Sequence, residues 1–145
     1  MHYDGTFEVA LDRARAYEFA TDPSRMTVIF PDVEEVKIVD AEHFTLKAKV
    51  GISAIKGTME VKAAIIEKNP PRFVKLRISA NGLDSAVEMD VGFLLEDGGR
   101  GGTMVAWTAD AKVVGLMARV GSRLMDSVAR KYIRQIIEAL KRNLD

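Results

Sequence analysis

From Val33 to Val113 the apolar residues of this chain recur at every second position, and after Gly115 they recur at spacings of three and four. That one change of period leaves few folds open, because period two places a dry and a wet face on a strand and a period near 3.6 places an apolar stripe on a helix. Val36 and Ile38 begin the alternation; Phe44, Leu46, Ala48 and Val50 continue it against Thr45, Lys47 and Lys49. Ile55, Met59, Val61, Ala63 and Ile65 alternate with Lys56, Thr58, Glu60 and Lys62, and Val74, Leu76, Ile78 and Ala80 with Lys75, Arg77 and Ser79. Two more rows follow, Val87 to Leu95 and Val105 to Val113. At the N-terminus Tyr3, Phe7, Val9 and Leu11 share one parity against Asp4, Thr6 and Glu8, which makes a seventh strand.

The connections read as short. Asp12 caps a helix over 13–20, and Asp22-Pro23 caps a second one with proline in its first position. Pro31 ends that second helix, since the residue before a proline avoids helical torsions. Asn81-Gly82 is a hairpin signal, and Gly98 to Gly102 turns the chain into the last strand. Residues 116–144 then carry Met117, Val120, Leu124, Val128, Tyr132, Ile136 and Leu140 on one helical face, a helix of about 40 Å. The order predicts an α+β helix-grip fold: a seven-stranded curved antiparallel sheet wrapped around a long C-terminal helix, with two short helices after strand 1. At 145 residues, without linker or repeat, residues 1–145 form one expected domain.

Such a sheet must cover its apolar face with one long helix and two short ones, so it has to curl, and a curled sheet gripping one helix leaves a hollow. The inward positions mix small residues (Ala48, Gly57, Ala63, Ala80, Ala109, Ala111) with adaptable methionines (Met59, Met89, Met117). Small residues make room and thioethers reshape around a guest. The expected ligand-binding residues are Met26, Phe30, Met59, Val61, Leu76, Met89, Phe93, Trp107, Met117, Leu124 and Tyr132, with the short helices and Gly115 as the gate. A close-packed core built from the same side chains is the competing reading.

Chemistry is scarce on that face. The inward rows hold almost no titratable group, whereas general acid–base catalysis needs two converging ones, so no catalytic residue is assigned. His2 and His43 have no carboxylate placed beside them by sequence and read as surface residues; with no cysteine and no spaced ligand set, no metal site and no cofactor are expected. The polar tips of Tyr17, Trp107 and Tyr132 serve either a ligand or the backbone. Lysine plus arginine (21) equals aspartate plus glutamate (21), which argues against nucleic acid as a partner. Locally the balance breaks: residues 116–144 hold seven basic and two acidic side chains, and Arg119, Arg123, Arg130, Arg134 and Lys141 fall in one arc of about 60° at 100° per residue. That stripe is either a solvated face or a dock for an acidic partner or an anionic bilayer surface. No leader and no apolar run of transmembrane length is present, which makes a cytoplasmic protein, at most peripheral to a membrane, the expectation.

Asp22-Pro23, the run Phe30-Pro31-Asp32-Val33-Glu34-Glu35-Val36, the strand order, and Gly115 to Leu124 together resemble the CoxG family of carbon monoxide dehydrogenase subunits, within the START/Bet v 1-like, or SRPBCC, superfamily. The resemblance spans the chain and rests on no single motif. It implies a deep hydrophobic cavity and a role in bringing a molybdenum-containing dehydrogenase to the membrane and passing electrons to quinone. Longer members continue past the final helix into an extension associated with membrane attachment, whereas this sequence stops at Asp145. The reading is therefore a carrier for a quinone- or isoprenoid-like small molecule, with a dehydrogenase complex or an anionic membrane surface as further partner. Two rival classes stay open: a cyclase- or dehydratase-like enzyme of the same superfamily, which needs a buried acid or base, and a protein-docking adaptor working through the basic helix.

Overall fold

In the computed structural model, which describes residues 1–145, seven strands form one antiparallel sheet in the order β1-β7-β6-β5-β4-β3-β2. The strands are β1 (His2–Val9), β2 (Val33–Asp40), β3 (His43–Ile52), β4 (Ile55–Asn69), β5 (Phe73–Gly82), β6 (Ser85–Asp97) and β7 (Thr103–Gly115). Each parity read from the sequence is kept. Tyr3, Phe7 and Val9 are buried on β1, Phe44, Leu46 and Ala48 on β3, and Met59, Val61 and Ala63 on β4.

Two short helices, α1 (Arg13–Ala20) and α2 (Pro23–Met26), follow β1. The Asp12 carboxylate accepts from the Arg15 N–H, and Asp22 from the Ser24 N–H, so each aspartate satisfies a donor that a helix start leaves free. A 3-10 turn over Thr27–Ile29 extends α2, and Phe30, ahead of Pro31, leaves it in extended conformation at φ −79°, ψ 136°.

The C-terminal helix differs from expectation at its start. Leu116–Val120 is a 3-10 turn, and α3 proper runs over Ser122–Leu144. Gly115 (φ 90°) and Gly121 (φ 97°) stand on either side of that turn in conformations that L side chains rarely adopt. A Cβ on Gly115 would collide with the Asp84 carbonyl oxygen.

A second difference concerns the β5–β6 hairpin. Asn81 and Gly82 belong to the ladder, opposite Ala86 and Ser85, and the two-residue loop is Leu83-Asp84, both left-handed at φ 55° and 53°. That pair of torsions is the type I′ hairpin turn, here without glycine. Leu83 packs against the small cluster of Ile52, Met59 and Met117. The expected turn at Gly98–Gly102 contains a 3-10 turn over Gly99–Gly101.

The larger core cluster sits at the other end. There α1, α2 and the end of α3, through Ala139, Leu140 and Leu144, close on Phe7, Val9, Val74, Leu76, Leu95 and Val105. Beyond this anchor no residue of α3 is buried, and Met125, Val128, Ala129, Tyr132, Ile133, Ile136 and Ile137 are only half-buried.

Candidate functional site

The half-buried stretch of α3 marks where the helix stands over the sheet without filling it. Between them lies a hollow with a cavity volume of about 270 Å³, and all of its 28 lining residues are hydrophobic. Strand parity builds the floor: Leu76, Ile78 and Ala80 from β5, Val87, Met89, Val91 and Phe93 from β6, Trp107, Ala109, Ala111 and Val113 from β7. The helix supplies the roof, α2 and the adjoining turn contribute Met26, Ile29 and Phe30, and Met117 closes the end under the Leu116–Val120 turn. Small side chains on the floor add to the space: β7 carries alanine at two successive inward positions, Ala109 and Ala111, opposite Val91 and Met89 of β6.

Nine of the eleven residues expected at a ligand site lie on this wall: Met26, Phe30, Met59, Leu76, Met89, Phe93, Trp107, Met117 and Tyr132. Val61 and Leu124 do not. Val61 points inward on β4 but is packed in the larger core with Phe44 and Leu46. Leu124 is 38% exposed, because α3 begins only after Gly121 and its phase turns Met125 inward; the neighbouring position is then rotated away by about 100°. Absent from the expected set were Met1 and Tyr3 at the N-terminus and the roof residues Ile133, Ile136 and Ile137. The inward rows of β5 to β7 could have supplied half of the remainder.

No buried side-chain polar atom lacks a partner. The Tyr3 hydroxyl donates to Asp126 Oδ1 at 2.9 Å, Arg130 Nε donates to Asp126 Oδ2 at 3.0 Å, and the guanidinium carbon lies 5.1 Å from the centre of the Tyr3 ring. This is a polar tie between edge strand β1 and the roof. Arg130 and the Tyr3 hydroxyl together hold the Asp126 carboxyl below its usual range, while burial, followed by Asp126, raises the Tyr3 phenol. The Tyr17 hydroxyl donates to the Phe73 carbonyl at 2.8 Å, so it serves the backbone. Trp107 stacks its indole over Gly5, its partner across β1 and β7.

Both histidines have carboxylate partners that sequence spacing did not reveal. His2 Nδ1 lies 2.6 Å from Asp110 and Nε2 2.9 Å from Asp4, and His43 Nδ1 lies 2.7 Å from Asp40. Cross-strand pairing of His2 with Asp110 and the tight β2–β3 turn create these contacts. Both rings are exposed, away from the hollow.

The basic arc is corrected too. Arg119 falls in the 3-10 turn, off the helix, so only Arg123, Arg130, Arg134 and Lys141 ride on α3, and Arg130 is tied to Asp126. Arg123, Arg134 and Lys141 are exposed.

A curved seven-stranded sheet gripping a C-terminal helix over an apolar hollow defines the START-like helix-grip class of ligand-binding folds. Solved structures agree: a conserved protein from Geobacillus kaustophilus superimposes with a TM-score of 0.87 at 19% identity, over 99% of this chain and 95% of its own. A START superfamily protein from Mycobacterium smegmatis gives 0.72 at 12% identity, over 99% and 96%. The Zhui aromatase/cyclase from Streptomyces sp. R1128 gives 0.69 at 16% identity, over 99% and 93%. Within the class, residues 5–145 match the CoxG family of carbon monoxide dehydrogenase subunits, and the chain belongs to that family. No curated protein matches it in sequence. No helix is long and apolar enough to cross a membrane.

Proposed function

We propose that this protein, acting as one domain over residues 1–145, carries a hydrophobic small molecule of quinone or isoprenoid type in the hollow, as an accessory to a molybdenum-containing CO dehydrogenase-type enzyme. One observation carries the reading: a wall of 28 residues, all hydrophobic, encloses unfilled space. A ligand there gains by leaving water. At about 0.8 kcal/mol per buried methylene, a tail of a few isoprenoid units offsets an association cost of roughly 4 to 15 kcal/mol. Such a wall favours an apolar tail, since a ligand carbonyl or hydroxyl left unpaired against it costs about 1–3 kcal/mol.

Cyclase or dehydratase chemistry receives no support from the wall, whose only titratable side chains are the phenols Tyr3 and Tyr132. Docking on an acidic face of the dehydrogenase or on an anionic membrane surface falls to Arg123, Arg134 and Lys141, joined by Arg119 and Arg130 at their margins. The place of action is the cytoplasm, at the periphery of the membrane.

Protein purified without detergent is extracted into organic solvent and the extract analysed by mass spectrometry, while a short-chain quinone is titrated against the fluorescence of Trp107. The expected result is a stoichiometric lipophile and saturable quenching. An empty extract together with unchanged fluorescence overturns the proposal.

A further inference from the structure

Strand β2 ends the sheet with nothing beyond it, and almost its whole length is exposed on both faces. Its side chains are unusual for such an edge. Val36 is 47% exposed, Ile38 43% and Val39 53%, although Val36 and Ile38 stand opposite the buried Leu46 and Phe44 and so point to the concave side. A free strand edge with apolar side chains is a template for another strand. Register shifts at both ends, between Val33 and Glu35 and between Ile38 and Asp40, leave Glu35–Ile38 as the regular stretch.

We propose that this edge receives a second copy of the same chain, the two β2 strands pairing antiparallel about a twofold axis at Val36. Charge selects both the occupant and the register. A twofold at Glu35 would oppose two glutamates and one at Lys37 two lysines; the axis at Val36 sets Glu35 of each copy opposite Lys37 of the other, twice. Parity is preserved, so the Val36 side chains of the two copies meet on the concave side, and Ile38 of each copy stands across from Glu34 of the other, where the bulge begins. Farther out the same register would oppose Asp40 and Asp32, and there the bulges bend the strand away and end the ladder. Lys37 has no carboxylate partner within its own chain, and Glu35, with its side chain 71% exposed, lies 3.4 Å from Lys47 and can lie between the two lysines. The sheet then continues through the dimer with both hollows open, so this inference stands apart from the identity of the ligand.

The test is sedimentation equilibrium of the full chain from about ten micromolar to the millimolar range, on wild type, Glu35→Lys and Lys37→Glu. Wild type is expected to approach twice the 16.0 kDa chain mass. Each variant alone opposes like charges twice and is expected to weaken the dimer about tenfold or more, with circular dichroism unchanged. An equimolar mixture of the two variants restores the complementary pairs and should form a heterodimer. Val36→Lys should leave a folded monomer. A wild-type monomer at every concentration overturns the proposal, as does a dimer indifferent to both reversals or a mixture that fails to associate.

Discussion

The space that makes this protein a container is set by single positions. Gly5 is one: a Cβ there would meet the Trp107 indole at 2.9–3.0 Å, so glycine lets the ring lie flat along β1. Gly5→Val should push the indole into the hollow, cost about 1–3 kcal/mol in chemical denaturation and shift the fluorescence of the one tryptophan. His2 gives a pH signature. Asp110 first and Asp4 second raise its pKa above the ordinary 6.5. A raised folded-state pKa stabilises fully below 6.5, and that contribution fades as pH climbs through the raised value. Denaturation midpoints from about pH 6 to about pH 8 should therefore fall more steeply in wild type than in His2→Gln, by a small amount because the ring is exposed.

Elements differ in how firmly they are held. The end of α3 is anchored, with Leu140 at 3% exposure among the core residues, while its earlier turns rest half-buried over empty space. Leu140→Ala should cost about 2–5 kcal/mol, whereas Leu124→Ala should change stability by no more than about 0.5 kcal/mol, both read from denaturant midpoints. Hydrogen exchange should show amides of 123–133 opening more readily than those of 139–144 in the empty protein. The break at Gly121 explains why the apolar spacing alone starts the helix at 116: Met117 and Val120 do face inward, but from a 3-10 turn. Asn81-Gly82 misled for a related reason. The hairpin turns two residues later, at Leu83-Asp84, where Leu83 packs over Gly57 and Met59.

At the scale of the whole molecule, folding leaves an apolar-lined hollow between sheet and helix. A ligand at a hundred times its dissociation constant should raise stability by about 2.7 kcal/mol, measured as a shift in denaturation midpoint at fixed temperature. Ala111→Phe supplies the converse, placing a ring in the cavity from the floor of β7. It should fold with unchanged secondary structure and lose lipophile uptake.

Local chemistry wrote the strands, their parity, the caps at Asp12 and Asp22 and the apolar character of the inward rows into the sequence, because each depends on residues a few positions apart. The same locality made nine of the wall residues readable. What the sequence could not determine were relations between distant segments: the carboxylates beside His2, the tie from Tyr3 to Asp126, the exposure of β2 and the phase of α3. Above all, whether the inward residues would close on one another or stand apart depended on how far the sheet bends and where the helix is anchored, and those are properties of the assembled chain.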